Sequence, residues 1–310
     1  MGKRHLLSLT KLEASEIFFI VDRMMFFAKT KSEEQPLKNK VIGIYFRKTS
    51  TRTRTSFTAG AMKLGATTIA YGPNDLQINT GETIQDTARV LSGYLDALVI
   101  RTTESLEEMQ ILATQDHMSV INAMSEKEHP TQAISDLGTI KEHFGNLEDL
   151  RILYLGEGNS TAAALALAVS ICRNMKLTLL TAEHYGLPDE ILRHAHANAQ
   201  KYGAHIEQYH HLDYLPRNVD VVYTTRWCTT GSTKHDPKWR EHFRPFSVTQ
   251  SIINQVSKPH GTIFMHDLPA VRGEDVTDEV LNGPQSIVFH QAENKLYGAM
   301  AVLEWCLLDY

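Results

Sequence analysis

Residues 41–71 read VIGIYFRKTSTRTRTSFTAGAMKLGATTIAY, and this stretch decides the fold class. It begins with a short apolar run at 41–46, continues with a helical pattern at 55–64 and ends with a strand pattern at 67–71. A strand, a helix and a second strand in this order predict a β-α-β unit with parallel strands. Apolar runs without polar alternation are typical of strands that are covered on both faces.

The alternation continues along the chain, stops once and restarts. Strand patterns, separated by helical patterns, recur at 97–101, 120–123, 151–155, 177–181, 206–209, 219–223 and 262–265. The break lies at Gly145-Asn146. We therefore predict an α/β protein with two open parallel-sheet domains, residues 1–146 and residues 147–310. A last helical pattern at 291–310 is expected to return and pack on the first domain.

The overall composition narrows the class of protein. The 310 residues are 42% hydrophobic and 22% charged, with a net charge of −5. This balance is typical of a water-soluble globular protein, and no lysine/arginine block favours nucleic acid or a membrane surface as a partner. Three widely spaced cysteines favour a reducing compartment over a disulfide framework. The apolar stretch at 17–27 contains Asp22 and Arg23, so we expect no signal peptide and predict a cytoplasmic protein.

The loop after the first strand is rich in groups that bind anions. Residues 50–54 carry three hydroxyl side chains and two guanidinium groups, just before a predicted helix. Amides at a helix start point toward an anion, and arginine offers paired donors that match phosphate oxygens. The alternative is a solvated polar loop with an ordinary helix cap. Because the glycine-rich Lys-Ser/Thr loop of nucleotide triphosphatases is missing, a small phosphoester or acyl phosphate is favoured over ATP.

Residues 50–57, STRTRTSF, resemble the carbamoyl phosphate signature of the aspartate/ornithine carbamoyltransferase family. Further segments resemble this family in its order and spacing: GETIQDTARVL at 81–91, ALVIR at 97–101, HPTQ at 129–132, MHDLP at 265–269 and QAEN at 291–294. A single short match carries little weight, whereas this set extends along nearly the whole chain. The resemblance implies an enzyme that transfers the carbamoyl group of carbamoyl phosphate to a small amine.

The resemblance also implies roles for residues of the first domain. Arg101, His129 and Thr53 are expected to stabilise the oxyanion of a tetrahedral intermediate, and Gln132 to bind the carbamoyl amide nitrogen. Taken singly, Arg101 also fits a strand-end salt bridge, and His129 a helix start before a proline. The residues expected to bind carbamoyl phosphate are Ser50, Thr51, Arg52, Thr53, Gln77, Arg101, His129, Gln132, Leu268 and Lys295.

Two of these positions carry further implications. Gln77 stands where ornithine enzymes have a glutamine that reaches a neighbouring subunit's site, which implies a homotrimer with shared sites. The alternative for Gln77 is a surface loop. Lys295 stands where those enzymes usually have arginine, so it keeps the positive charge but loses the bidentate fork.

The acceptor side departs from the ornithine enzymes at three places. Gly156-Glu-Gly-Asn-Ser160 replaces Gly-Asp-Gly-Asn-Asn, Arg226 replaces an aspartate, and Asp267 replaces a cysteine. The missing aspartate would meet the ornithine α-ammonium, so Arg226 reverses the charge there. We expect Arg226 to hold an acceptor carboxylate and Asp267 to attract or deprotonate the attacking amine; alternatively, only the backbone at 267–268 matters. The residues expected to bind the acceptor are Asn159, Ser160, Arg226, Thr230, Asp267 and Leu268.

These departures leave the acceptor open. Ornithine, giving citrulline, is the default by resemblance, and 2,3-diaminopropionate, another diamino acid or an aspartate-like amine is the alternative. A different class of protein, an inactive binding or assembly subunit, is disfavoured by the retained set of first-domain residues. No His-x-x-x-His or Cys-x-x-Cys spacing indicates a metal, and Gly156-x-Gly158 lacks the third glycine of a dinucleotide fingerprint. We therefore predict no metal and no cofactor.

Overall fold

The structure, a computed structural model, describes residues 3–31, 34–229 and 231–309. By its internal contacts the chain divides into two compact units. Met1–Gly138 and Glu293–Tyr310 form the first unit, and Thr139–Ala292 form the second.

The first unit is built on a four-stranded sheet in which all neighbouring strands are parallel. Its strands are β1 (Val41–Phe46), β2 (Thr67–Tyr71), β3 (Ala97–Arg101) and β4 (Ser119–Met124). They lie in the order β2-β1-β3-β4, so the direction of winding reverses between β1 and β3. Strands β1, β3 and β4 are buried almost throughout, which explains their continuous apolar sequences, whereas the edge strand β2 is largely exposed.

Helices follow the strands of this sheet. They are α1 (Ala14–Thr30), which precedes β1, then α2 (Arg52–Lys63), α3 (Ile84–Ser92), α4 (Glu107–Leu112) and α5 (Pro130–Phe144). A capping box fixes the start of α1. The Glu13 side chain accepts the backbone N–H of Glu16, and the Glu16 side chain accepts the backbone N–H of Glu13. On its buried face α1 presents Ile17, Ile20 and Met24 to the core.

The last helix, α11 (Val288–Leu307), packs its C-terminal part on the first unit. Ser119 Oγ on β4 donates to the carbonyl of Cys306 at 3.2 Å. Arg23 on α1 forms a bidentate ion pair with Glu304, with N–O distances of 2.7 and 2.8 Å. The predicted return of the C-terminal helix to the first domain is therefore confirmed.

The second unit contains a five-stranded sheet that is also parallel throughout. Its strands are β5 (Arg151–Gly156), β6 (Lys176–Thr181), β7 (His205–Tyr209), β8 (Val221–Thr224) and β9 (Ile263–His266). The order β7-β6-β5-β8-β9 places the reversal of winding between β5 and β8. Two parallel sheets with intervening helices confirm the predicted α/β class.

The helices between these strands differ in how deeply they are buried. They are α6 (Ser160–Val169), α7 (Asp189–Tyr202), α8 (Trp239–Phe243), α9 (Gln250–Val256) and α10 (Asp278–Leu281). Every residue of α6 is buried, because its sequence STAAALALAV is apolar on all sides after the first turn. Within the described ranges, no helix is both long enough and apolar enough to cross a membrane.

Candidate active site

The loop after β1 leads into the first turn of α2. This helix begins at Arg52, earlier than the pattern at 55–64 indicated, and the Thr55 N–H closes its first turn on the Thr51 carbonyl at 3.1 Å. Thr53 is buried, Ser50 and Arg52 are half-buried, and Thr51 is exposed. The first backbone N–H groups of a helix have no partner within it. The residues predicted to bind phosphate therefore lie at a helix N-terminus, where the helix dipole favours an anion.

Arg101 ends β3, the strand beside β1. Its Nη1 donates to Thr53 Oγ1 at 3.4 Å, and its carbonyl accepts the Arg47 N–H at 3.0 Å. In open α/β sheets, ligands bind outside the carboxyl ends of the strands where the winding reverses, which here is between β1 and β3. The fold thus places the Arg101 guanidinium and the Thr53 hydroxyl side by side at that position.

His129 lies just before α5 and is buried. Burial lowers its pKa well below the ordinary value, and the positive charges of Lys295 and Arg101 lower the pKa of His129 further. The imidazole is therefore neutral at neutral pH and has one N–H to donate. Thr131 Oγ1 lies 3.3 Å from His129 Nδ1 and helps to fix the orientation of the ring.

Gln132 and Lys295 are buried in the same unit and bonded to each other. Lys295 Nζ donates to Gln132 Oε1, and Gln132 Nε2 donates to Asp136 Oδ1 at 2.9 Å. These bonds orient the Gln132 amide. Contacts and charge effects therefore link most of the predicted carbamoyl phosphate residues of this unit: Thr53, Arg101, His129, Gln132 and Lys295.

Gln77 lies elsewhere, on an exposed turn. It begins the 3-10 helix Gln77–Thr80, and its side-chain Oε1 accepts the Thr80 hydroxyl at 2.5 Å. This contact is local, so the role predicted for Gln77 at a neighbouring subunit's site stays a prediction.

In the second unit, Asn159 joins the ends of β5 and β8. Its Oδ1 caps α6 by accepting the N–H groups of Thr161 and Ala162 at 3.0 and 3.1 Å. Its Nδ2 donates to Thr225 Oγ1, just after β8, at 2.8 Å. Ser160, the first residue of α6, is buried beside it. Much of the hydrogen-bonding capacity of Asn159 is therefore used to shape the edge of the sheet.

Asp267 follows β9, the neighbour of β8. Its Oδ2 accepts the hydroxyl of Thr161 at 2.9 Å. Its Oδ1 lies 3.6 Å from His266 Nδ1, and its side chain is 17% exposed. The sequence patterns did not single out Thr161, because its contact with Asp267 arises only where the start of α6 meets the end of β9.

The other predicted acceptor residues lie in loops. Arg226 is half-buried, and within the described ranges its guanidinium makes no hydrogen bond or ion pair. The Leu268 N–H donates to His266 Nδ1 at 2.8 Å, and the residue has a left-handed φ of 54° before a cis bond to Pro269. A left-handed non-glycine residue costs on the order of 1 kcal/mol, so the surrounding contacts hold Leu268 in place. Thr230 lies outside the described residues.

A half-buried ion pair at the carboxyl ends of these strands was missed by the sequence analysis. Lys234 Nζ donates to Glu157 Oε1 and lies 4.8 Å from the centre of the Tyr185 ring. Burial raises the pKa of Glu157, while the charge of Lys234 and its hydrogen bond act in the opposite direction. Glu157 belongs to the segment quoted above at 156–160, but no sequence pattern pairs it with Lys234.

Among the residues that the structure describes, potential metal ligands and thiols were compared for their arrangement. In the parts of the chain that the structure describes, no three His, Cys, Asp or Glu side chains are grouped to hold a metal ion. Cys172, Cys228 and Cys306 are free thiols. Burial raises the pKa of Cys172 to about 12, so this thiol stays protonated and unreactive at neutral pH.

Two family models together cover nearly the whole chain. Residues 4–142 match the model described as aspartate/ornithine carbamoyltransferase, carbamoyl-P binding domain. Residues 148–306 match the model described as aspartate/ornithine carbamoyltransferase, Asp/Orn binding domain.

Individual proteins give the same result. The ornithine carbamoyltransferase of Caldicellulosiruptor saccharolyticus is 38% identical over 311 residues, which cover 98% of this chain and 99% of that protein. The solved ornithine carbamoyltransferase of Pyrococcus furiosus matches with a TM-score of 0.92 at 36% identity, over 99% of this chain and 97% of that one. The enzyme of Gloeobacter violaceus matches with a TM-score of 0.87 at 32% identity, over 99% of this chain and 100% of that one. The chain belongs to the aspartate/ornithine carbamoyltransferase family.

Proposed function

We propose that this carbamoyltransferase transfers the carbamoyl group of carbamoyl phosphate to the side-chain amine of ornithine, releasing phosphate and citrulline. The observation that carries the choice of acceptor is the full-length similarity to proteins named ornithine carbamoyltransferase. The residue roles below are part of the same proposal.

Carbamoyl phosphate binds at the N-terminus of α2. Ser50, Thr51, Arg52 and Thr53 supply hydroxyl groups, backbone N–H groups and a guanidinium to the phosphate oxygens. Lys295 adds a buried positive charge, although an ammonium cannot form the paired bonds of arginine. The Leu268 backbone and a neighbouring subunit's Gln77 complete the set.

The chemical step is the attack of a neutral amine on the carbonyl carbon. The new C–N bond converts the carbonyl to a tetrahedral oxyanion and leaves an extra proton on the attacking nitrogen. Collapse of this intermediate breaks the bond to the phosphate oxygen, and the departing phosphate takes up that proton. Arg101, the Thr53 hydroxyl and the neutral His129 are donors to that oxyanion, and a preorganised donor of this kind contributes about 3 kcal/mol. Gln132 Oε1 accepts a hydrogen bond from the carbamoyl NH2 group.

The acceptor is held by the second unit. The half-buried Arg226 guanidinium, which has no partner within the described ranges, suits a carboxylate of the acceptor. Asp267 Oδ1 accepts a hydrogen bond from the attacking amine. Asn159, Ser160, Thr230 and the backbone of Leu268 line the remainder. Because an alkyl amine has a pKa of about 10 and must be neutral to attack, we expect kcat/KM for the acceptor to rise with pH.

We assign residues 1–146 to carbamoyl phosphate binding and 147–310 to acceptor binding, with 291–310 returning to the first domain. The family-model matches at 4–142 and 148–306 support this boundary. The three free cysteines support a reducing compartment, and we place the enzyme in the cytoplasm.

We also propose a homotrimer with shared sites, supported by the exposed position of Gln77. Mixing two inactive variants tests it, because subunits of Gln77→Ala and Arg101→Met would together rebuild some intact sites. Activity that returns after mixing and reassembly would support sharing, and activity that stays absent in verified mixed trimers would contradict it.

A different acceptor is the second candidate function, favoured by Arg226 and Asp267 at the acceptor edge. A shorter diamino acid, such as 2,3-diaminopropionate, or an aspartate-like amine would still present a carboxylate to Arg226 and an amine to Asp267. An inactive binding or assembly subunit remains the alternative of another class.

The deciding experiment measures ureido product and phosphate from carbamoyl phosphate with a panel of amines. The panel contains ornithine, putrescine, lysine, 2,3-diaminopropionate, 2,4-diaminobutyrate and aspartate. Ornithine as the best substrate would support the proposal, and a clear preference for another amine would replace ornithine by that acceptor. No turnover of any amine, in protein shown to be folded, would overturn the proposed activity and favour the inactive subunit.

A further inference from the structure

Asp267 receives a hydrogen bond from one buried hydroxyl group. Thr161 Oγ1 donates to Asp267 Oδ2 at 2.9 Å, and Thr161 is the second residue of α6. A hydroxyl has a single hydrogen, so Thr161 Oγ1 donates to no other group while this bond is formed. Thr161 is 5% exposed, so solvent water does not easily replace Asp267 as the acceptor of the hydroxyl hydrogen.

The neighbouring His266 does not supply a second hydrogen. Its Nδ1 accepts the Leu268 N–H at 2.8 Å, so Nδ1 carries a lone pair and no proton. The proton is on Nε2, which donates to the buried Asp275 Oδ2 at 2.6 Å. The 3.6 Å separation between His266 Nδ1 and Asp267 Oδ1 is therefore not an ion pair. In the described ranges, Thr161 is the side-chain donor that orients Asp267.

This arrangement leaves one oxygen of Asp267 open. Oδ2 is occupied by Thr161, whereas Oδ1 has no donor within the described ranges. The start of α6 places the positive end of a helix dipole beside the carboxylate. The side chain is 17% exposed, so the carboxyl group is not sealed from the surface.

We propose that Thr161 is a positioning residue for carbamoyl transfer, which holds Asp267 with Oδ1 directed to the amine of the acceptor. The inference rests on the proposed function, because it needs an acceptor amine to act on. Thr161 itself does not touch the substrate. It fixes the rotamer of Asp267, so the open oxygen is in place before the acceptor binds.

The test is a double-mutant cycle with Thr161→Val and Asp267→Asn. Thr161→Val keeps the side-chain shape and removes the hydroxyl. We expect it to lower kcat/KM for the best acceptor of the panel by roughly 10- to 100-fold, while KM for carbamoyl phosphate changes little. In the Asp267→Asn background we expect Thr161→Val to change kcat/KM by less than about twofold, because the uncharged amide no longer attracts the amine and its orientation then matters little.

Two further variants separate positioning from stability. Thr161→Ser retains a hydroxyl, and we expect it to restore most of the activity. Thr262→Val removes another buried hydroxyl of the second unit, whose Oγ1 donates to the Val219 carbonyl at 2.7 Å, and we expect the acceptor kinetics to stay unchanged.

Each outcome decides the inference. Equal losses from Thr161→Val in both backgrounds, or a Thr161→Ser variant as impaired as Thr161→Val, would overturn it. If Asp267→Asn has no measurable turnover, crystal structures of the wild type and Thr161→Val decide: a rotated Asp267 supports the inference and an unmoved one overturns it. A wild type that turns over no amine overturns the proposed function, whereas an active wild type with an additive cycle overturns this inference alone.

Discussion

The two sheets differ in the charges that lie at the carboxyl ends of their strands. These regions are the first edge in the first sheet and the second edge in the second sheet. At the reversal point of the first sheet, Arg101 lies against Thr53 and is close enough to influence the pKa of His129. The second edge carries charges of both signs: the half-buried carboxylates Glu157 and Asp267, the Lys234 that pairs with Glu157, and the Arg226 guanidinium. The first edge thus suits an anion, and the second suits an acceptor that carries both a carboxylate and an amine.

The edges also differ in how their side chains are held. Lys295 and Gln132 are buried and bonded to each other, which makes that part of the first edge rigid before any ligand binds. Arg226 at the second edge is half-buried and, within the described ranges, has no partner. In the proposed function, carbamoyl phosphate therefore meets a fixed set of donors, whereas the choice of acceptor depends on a few charges.

The largest expected effect follows from removing the positive charge of Arg101 at the first edge. We expect Arg101→Met to lower kcat about a thousandfold with every acceptor, because the oxyanion loses a charged donor. Steady-state kinetics with two different amines measure it. Lys63→Met, an exposed cation at the far end of α2, is the control and should have wild-type kinetics. A loss that depends strongly on the amine would contradict the division of roles.

A buried carboxyl behind the first edge should make stability depend on pH. Glu128 accepts the Leu9 N–H at 2.7 Å, and burial raises the pKa of Glu128 from 4.5 to about 7. Between these values the unfolded chain releases the proton and the folded chain keeps it, so the stabilisation is complete below pH 4.5 and is lost as pH rises to 7. The expected loss is about 3 kcal/mol.

The measurement for Glu128 compares the free energy of unfolding of the wild type with that of Glu128→Gln, which cannot ionise. Urea denaturation of the two proteins from pH 4.5 to 7.5 should show the wild type losing stability relative to the variant. A difference that stays constant across this range would show that Glu128 has the same pKa in both states.

Substitutions at the second edge should change the choice of acceptor and leave the binding of carbamoyl phosphate unchanged. Combining Arg226→Asp with Ser160→Asn restores the residues that ornithine enzymes have by resemblance. We expect the ratio of kcat/KM for ornithine to kcat/KM for aspartate to rise roughly tenfold, because the α-ammonium of ornithine gains a partner and the second carboxylate of aspartate loses one. KM for carbamoyl phosphate should remain that of the wild type. Arg193→Asp, an exposed charge reversal on α7, controls for general electrostatic effects. An unchanged preference among amines would contradict the role of Arg226.

The smallest effect concerns Lys295. Its charge is one of the causes that lower the pKa of His129, so Lys295→Met should let this pKa rise toward its ordinary value. In the proposed mechanism His129 acts as a neutral donor, so the acid limb of the pH–kcat profile should move to higher pH. Lys295→Arg keeps the charge and should leave the limb in place; an unmoved limb in Lys295→Met would contradict the electrostatic link.

Strands were easier to predict than helix starts. The bounds predicted for β1, β2 and β3 agree with the structure. Strands β1 and β3 are marked by runs of apolar residues that are buried together, and the largely exposed β2 by β-branched and aromatic residues. The start of α2 was placed at 55 and lies at Arg52, since hydroxyl residues fit both a loop and a first helical turn. That error concerns the site directly, because Arg52 and Thr53 belong to the helix and not to the loop before it.

The sequence by itself determined the fold class, the family and the residues of the first edge, since these depend on local patterns and ordered motifs. Only the tertiary structure decided that Thr161 donates to Asp267, that Lys234 pairs with Glu157 and that Asn159 links β5 to β8. Those partners are 106, 77 and 66 residues apart in sequence. Strand order and helix packing bring them together, and no local pattern encodes a contact over such distances.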